Sequence, residues 1–320
     1  MTCQPVEVSG RAAQLPQLTR PFLTDAGLET DILFNKGIDL PHFASITLLR
    51  SETGRRALVD YFRGFLELAG RKGCGMILES ATWRASPDWA APLAMSVAEL
   101  DALNGQAIAM LHDLREEYRA RVPQIIISGC IGPRGDGYDP GRIMSVEEAE
   151  LYHSHQAAVL DVAGADMLTA ITMTNVPEAI GLVRAARALQ AQVAISFTVE
   201  TDGRLPTGQA LSDAISAVDE ASDAYPAYYM LNCAHPTHFA GSLEEGADWT
   251  SRIGGVRANA SRCSHAELDA MTELDIGDPA ELAALHRDLR QRFPGINVLG
   301  GCCGTDLQHV TAIAEACLSH

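Results

Sequence analysis

Two cysteines stand side by side near the C-terminus, Cys302 and Cys303, framed by Gly300, Gly301 and Gly304. Adjacent side chains in a regular strand point to opposite faces. The glycines permit an irregular turn that can aim both sulfurs at one point. A third cysteine, Cys233, follows the apolar run Tyr228–Asn232. Three thiolates with one position left open suit catalytic zinc, whereas structural zinc sites are closed by four protein ligands. As soft donors, thiolates favour zinc over magnesium or calcium. Two other readings of the adjacent pair stay open on the residues alone: a strained redox disulfide, and two buried core thiols. The other cysteines carry less chemistry. Cys130 reads as a small core residue and Cys263 as a weaker substitute ligand in a loop. Cys74 precedes a strand, Cys317 lies in the last helix and Cys3 in an N-terminal tail.

Sulfurs far apart in sequence converge only on a scaffold that brings strand ends together. Short β-rich runs are read at Phe22–Ala26, Met76–Glu79, Ile125–Cys130, Met167–Ile171, Val193–Thr198, Tyr228–Asn232, Arg252–Val256 and Ile296–Leu299. Helical patterns fall between or after them: Gly54–Arg71, Val97–Arg121, Val146–Ala163, Val176–Leu189, Leu211–Ser222, Pro279–Gln291 and Asp306–Leu318, with a weaker one at Pro236–Gly246. The strands are short and apolar on both faces, as in a buried parallel sheet with right-handed crossovers. Eight strands alternating with helices predict an α/β chain folded as a single (β/α)8 TIM barrel. An open doubly wound sheet is the alternative, but no Gly-x-Gly-x-x-Gly follows a strand. The chemistry-bearing residues cluster just after strands, and in a barrel those C-terminal ends share the face that holds the active site.

Composition narrows the function classes. The 320 residues are 47% hydrophobic and 20% charged, enough for a large core. Lys+Arg 24 against Asp+Glu 41 leaves a net charge of −17, which argues against nucleic acid or an anionic membrane as partner. The longest apolar stretches, such as Gln124–Ile131, are too short to span a bilayer. No basic start followed by an apolar run opens the chain, so reduced thiols and a cytoplasmic location are expected. Residues 1–20 are read as a mobile tail and 21–320 as the catalytic domain.

The motifs Leu231-Asn232-Cys233 and Gly300-Gly301-Cys302-Cys303-Gly304-Thr305 resemble those of the homocysteine S-methyltransferase family of zinc-dependent thiol methyltransferases. Gly129-Cys130-Ile131-Gly132-Pro133, Gly164-Ala165-Asp166, Ser196-Phe197-Thr198 and Asp202-Gly203-Arg204 support the resemblance, which extends from Asp25 to the C-terminus. It implies a (β/α)8 barrel with Zn2+ on Cys233, Cys302 and Cys303, and methyl transfer to homocysteine to give methionine. The donor is left open among S-methylmethionine, S-adenosylmethionine, a betaine and a methyl-corrinoid. A corrinoid would have to be carried by a separate protein. The partners are otherwise small molecules, the thiol acceptor and the methyl donor, and a homodimer is compatible with such a barrel. Zinc would ionise the acceptor thiol, which at neutral pH is otherwise mostly protonated and a poor nucleophile.

The amino-acid pocket departs from the family pattern. At the end of strand four the family carries a glutamate similar in role to an ammonium anchor; the aligned residue here is Ile171. An isoleucine accepts no hydrogen bond, and an unpaired charge beside it would be costly. Carboxylates appear instead at Glu29 and Glu79. Asp25 and Glu79 are the expected acceptor-orienting residues, with Gly27, Thr82 and Asn259 as pocket walls. Ile171 motivates an alternative: the same zinc chemistry on another thiol or selenol acceptor that lacks the ammonium. A zinc-binding homologue without turnover is a further alternative. His153 and His155, two apart on a helix, face different directions and make no metal pair. His235 reads as a helix-start residue, and Trp83 and Trp89 as loop packing or as contacts for a cationic donor.

Overall fold

The computed structural model describes residues 15–318. Residues 1–14, with Cys3 and most of the tail, lie outside the described residues. The strands β1 (Phe22–Leu23), β2 (Gly75–Glu79), β3 (Ile125–Ile131), β4 (Met167–Met173), β5 (Val193–Phe197), β6 (Tyr228–Asn232), β7 (Ile253–Ala258) and β8 (Val298–Gly301) form a closed barrel. Every neighbouring pair is parallel, and β8 pairs back onto β1. The expected single (β/α)8 TIM barrel is therefore what the chain forms.

Local chemistry explains the outer layer. Seven helices account for most of it among the described residues: α1 (Glu52–Lys72), α2 (Val97–Tyr118), α3 (Val146–Val162), α4 (Val176–Ala188), α5 (Leu211–Ser222), α6 (Pro279–Arg292) and α7 (Leu307–Leu318). Ser96 with Glu99 and Ser145 with Glu148 make reciprocal caps that satisfy the first free N–H groups of α2 and α3. At the other end of α1, Gly73 takes the left-handed conformation at φ 65° and stops the helix. After β6 only Pro236–Phe239 is helical, shorter than the sequence pattern suggested, because the following glycine- and glutamate-rich stretch turns away.

Strand alternation sorts the core into two shells. In β3, Ile125, Ile127 and Ile131 join the shell shared with the helices, whereas Ile126 and Cys130 face the barrel interior. Phe22, Ile77, Met167, Met230 and Val298 fill that interior with them. At the N-terminal end of the barrel, Leu15 and Gln17 are buried, and the Gln17 amide reaches Met167 Sδ at 3.2 Å and Tyr228 Oη at 3.4 Å. The packed chain thus begins ahead of Pro21, where the sequence reading placed the boundary. β1 ends at Leu23, shorter than expected, although Thr24 N and Asp25 O still bond Leu299 O and Gly301 N at β8. β7 is longer and carries Arg257 and Ala258 inside the barrel region. No helix among the described residues is long and apolar enough to cross a membrane.

The seal at the N-terminal end is testable. Phe22→Ala deletes a fully enclosed ring and should cost about 3–5 kcal/mol in urea unfolding. A loss under about 1 kcal/mol would show that this layer is not part of the cooperative core.

Candidate active site and metal centre

The C-terminal ends of the strands open into a cavity of about 620 Å³. Asp25, Glu79, Cys130, Ile171 and Arg257 line its deep part, and the three cysteines line one side. Cys233 follows β6 directly, and Cys302 and Cys303 follow β8, two strands away. Their sulfurs all lie within 4.8 Å of one another. Glycines make this possible at two points. Gly304 has φ 78°, which turns the chain immediately after the cysteine pair. A Cβ on Gly27 would lie 2.5 Å from the Cys302 carbonyl oxygen, so only glycine lets the first loop pass the cysteine backbone.

Cys233 and Cys302 are joined as a disulfide in this structure, and Cys303 is free. The adjacent pair is therefore not the one that bonds. Cys303 Sγ stands 3.8 Å from Cys233 Sγ. Around a tetrahedral zinc with bonds near 2.3 Å, neighbouring sulfurs stand about 3.8 Å apart. The donor set and this spacing fit a metal once the disulfide is reduced. Burial pushes the Cys303 thiol up to about 11, and a bound dication would reverse that by stabilising the thiolate. Cys263 lies outside the sulfur cluster and Cys130 is buried in the cavity wall.

The backbone beside the sulfurs is strained and braced. Cys233 has φ 53° and Thr172, a β-branched residue, has φ 67°. Asn232 braces Thr172 and ties it to Ser196 on β5. Its Oδ1 accepts from Thr172 N at 3.0 Å and from Ser196 Oγ at 2.6 Å, and its Nδ2 donates to Thr172 Oγ1 at 2.8 Å. The same Nδ2 lies 3.9 Å from Cys302 Sγ. On the other side of the sulfurs, the Tyr138 hydroxyl is 3.6 Å from Cys303 Sγ. The Tyr138 ring stacks on His265 at 3.9 Å between centroids, and His265 Nε2 contacts the Cys233 carbonyl oxygen at 2.6 Å.

A buried ionic cluster occupies the deep part. Arg257 crosses from β7 to the first loop and donates through Nη2 to Asp25 Oδ1 at 2.6 Å and to Ala26 O at 3.2 Å. Its Nε donates to Gly301 O at 3.2 Å. The Tyr61 hydroxyl donates to Asp25 Oδ2 at 3.2 Å. Glu79 Oε1 lies 3.9 Å from Arg257 Nη1, beyond hydrogen-bond reach, and Glu79 Oε2 has no partner among the described residues. Burial raises the Asp25 carboxyl against the opposing pull of Arg257. Burial likewise pushes Glu79 up to about 7. Glu29 is also raised by burial, and Ser45 Oγ donates to it at 2.7 Å.

Of the residues read from sequence, the fold gathers Asp25, Gly27, Glu79 and the three cysteines around one cavity. Thr82 and Asn259 do not line it. The Thr82 hydroxyl donates to Cys130 O at 2.6 Å and shares a 2.6 Å contact with Ser80 Oγ, which ties β2 to β3. Asn259 is buried behind the wall, its N–H bonded to Ala234 O at 3.1 Å. Ile171 does face the cavity. His153 is buried against Glu178 and His155 meets Asp101, so they are no pair. His235 caps Pro236–Phe239. Trp83 lines the mouth, and the Arg84 guanidinium sits 4.9 Å from its ring and 4.7 Å from that of Trp89. Sequence reasoning passed over Arg257, Tyr138 and His265. The signal for Arg257 was a charge at the end of an apolar strand run, a residue type rarely buried without partners.

Comparison with known proteins follows the same line. A profile of the homocysteine S-methyltransferase family matches residues 22–317. The chain is 26% identical to the homocysteine S-methyltransferase of Escherichia coli K12 over 283 residues, 84% of this chain and 86% of that protein. It is 25% identical to the homocysteine S-methyltransferase YbgG of Bacillus subtilis 168 over 312 residues, 92% and 94% of the two chains. Among solved structures, the oxidized form of the Escherichia coli homocysteine methyltransferase MmuM is similar in fold, with TM-score 0.74, 21% identity and coverage of 95% and 98%. The metallated form of the same enzyme gives TM-score 0.71 at 22% identity, with coverage of 92% and 96%.

Glu79 makes stability depend on pH with a definite sign. Its carboxyl is raised in the fold, so its contribution is complete below the unfolded value near 4.5 and is lost as pH rises through about 7. That shift corresponds to about 3 kcal/mol across the window. Glu79→Gln should flatten the fall in urea stability of the reduced protein between pH 4.5 and 8 by that amount. An unchanged slope would show that Glu79 ionises freely in the fold.

Proposed function

The chain belongs to the homocysteine S-methyltransferase family, and we propose that it transfers a methyl group from an onium donor to the sulfur of a small thiol, homocysteine first, with zinc on Cys233, Cys302 and Cys303. The observation that carries this reading is the convergence of three sulfurs, from the ends of β6 and β8, on one side of a cavity large enough for two small molecules. Zinc, when bound, would supply a Lewis acid that holds the acceptor thiol as its thiolate near pH 7. The remaining work falls to the chain. Asn232 and Gly304 fix the directions from which the cysteines approach. Ile171 and Cys130 give the cavity apolar walls that exclude water from the sulfurs.

The transfer is a displacement. The acceptor sulfur forms a bond to the methyl carbon, and the bond from that carbon to the donor sulfur or nitrogen breaks. Its electron pair leaves with the neutral product. The donor enters from the mouth, where Asp136, Asp269, Glu273 and Asp275 line the opening. Acidic groups there favour a cationic donor such as S-methylmethionine, S-adenosylmethionine or a betaine. They disfavour a bulky anionic one.

The reading is tested with reduced, zinc-loaded protein, homocysteine and each onium donor, the products being identified by mass spectrometry. Methionine that appears only with zinc present is the expected result. Zinc binding at one ion per chain without methylation of any thiol would support the non-catalytic homologue instead. Cys303→Ala should lower zinc affinity by at least 100-fold and abolish turnover while leaving the barrel's circular dichroism intact. Full zinc content in that variant would remove Cys303 from the ligand set.

A further inference from the structure

Three loops that supply no sulfur ligand meet beside the sulfur cluster. Tyr138 comes from the loop after β3, Glu200 from the turn after β5 and His265 from the loop after β7. His265 Nε2 lies 2.6 Å from the Cys233 carbonyl oxygen, which can only accept, so the ring nitrogen donates. Nδ1 of the same ring faces Glu200 Oε1 at 3.1 Å, which fixes the ring from its other side. The Thr198 hydroxyl reaches the Cys233 carbonyl only at 3.5 Å. Cys233 has φ 53°, and a residue with a side chain keeps that conformation only where its surroundings hold it there.

The Tyr138 ring lies flat on the His265 ring, 3.9 Å between centroids and 14° between planes, and sets its hydroxyl 3.6 Å from Cys303 Sγ. A thiolate that ligates a metal carries no proton, so toward a ligating Cys303 the hydroxyl is the donor. Both rings are seated by their own loops. Asp136 Oδ1 accepts from Tyr138 N at 2.8 Å and from Asp139 N at 3.1 Å. Gly137 packs under Trp83, whose ring a Cβ there would approach to 3.0 Å. His265 opens a short helix, His265–Ala270, that Ser264 and Glu267 cap reciprocally.

We propose that His265 and Tyr138 form a clasp that positions two of the three metal ligands, His265 holding Cys233 through its carbonyl oxygen and Tyr138 donating to the Cys303 thiolate. The inference rests on the zinc reading above and deepens it. The ring stack makes the two holds one unit. His265 is the floor on which the Tyr138 ring rests, so the aim of the hydroxyl depends on both. Glu200 acts through His265, and all three are positioning residues that work through the cysteines. A hydrogen bond to a thiolate is charge-assisted and draws electron density from the sulfur. Cys303 then gives less charge to a bound metal, which leaves a stronger Lewis acid at the open position. Partners placed just outside the ligands change metal affinity by about 10–100-fold when they are removed.

The test uses the reduced full-length protein loaded with zinc, or with cobalt(II) as a coloured substitute. Tyr138→Phe keeps the ring stack and removes the hydroxyl alone. The clasp predicts that the sulfur-to-cobalt charge-transfer band moves to longer wavelength in this variant, because the Cys303 electrons are held less tightly, while the tetrahedral d–d bands are kept. Zinc affinity, read by competition with a chromophoric chelator, should fall about ten-fold. His265→Ala should cost at least as much, and His265→Gln, whose amide N–H can still reach the Cys233 carbonyl, should recover most of that loss. Tyr138→Phe combined with His265→Ala should lose less than the product of the single losses, since a hydroxyl without its floor is already misplaced. An unmoved charge-transfer band in Tyr138→Phe would overturn the proposal, as would equal zinc affinity in His265→Ala and His265→Gln. Wild-type protein that takes up neither metal would overturn the zinc reading itself and the clasp with it. None of these readouts needs turnover, so they are distinct from failure of methyl transfer, which the donor assays report separately.

Discussion

Closure of the barrel between its first and last strands is the constraint on which the site depends. The seam is short. Phe22 N bonds Asn297 O at 2.8 Å, Thr24 N bonds Leu299 O at 2.9 Å, and Gly301 N bonds Asp25 O at 3.0 Å. These bonds place the first loop, with Asp25 and Gly27, against the turn that carries Cys302 and Cys303. Glycine is a condition of the seam on both sides: a Cβ on Gly27 of the first loop would strike the Cys302 backbone, and one on Gly300 would strike Thr24 and the Asp25 carbonyl. The two cysteine-bearing strand ends are already neighbours through β7; closure adds the first loop to that centre.

The same seam explains how a charged cluster survives inside an apolar fold. Arg257 lies on β7 and its carboxylate partner on the loop after β1, so the pair forms only when the sheet closes on itself. A buried ion pair contributes little net stability, because desolvation offsets most of the attraction. Losing one partner is different, since it leaves an uncompensated charge at a cost of about 3–5 kcal/mol. The cluster is thus better understood as orientation than as reinforcement. It fixes a guanidinium at a depth where freely rotating side chains would otherwise collapse onto one another.

Much of this was legible in the sequence. Alternating apolar strands and helices give the barrel, and the glycine-framed cysteines with Cys233 give the sulfur cluster. Ile171 was legible as an apolar residue in the cavity. What escaped depended on contacts across long sequence separations. Arg257 and Asp25 are 232 positions apart, and nothing local marks them as partners. A lone arginine at the end of an apolar run therefore looks like the end of a strand, although β7 continues through it to Ala258. Thr82 was read as a cavity wall because its position beside a strand end was visible, but the direction of its hydroxyl was not; it points at the backbone of β3. The left-handed Thr172 was invisible for the same reason, since β-branched residues give no local signal for positive φ.

Leu15 and Gln17, packed under the interior layer of Phe22, Met167 and Tyr228, close the far end of the barrel. A pocket with a sealed bottom has a single doorway, and this imposes a sequence in time. A molecule lodged in the deep part of the cavity must arrive before one that sits at the mouth, because the second blocks the path of the first. Departure reverses the order: the molecule at the mouth leaves before the one beneath it. The kinetic signature of such a vessel is compulsory order, with the later product competing against the first substrate for the empty protein.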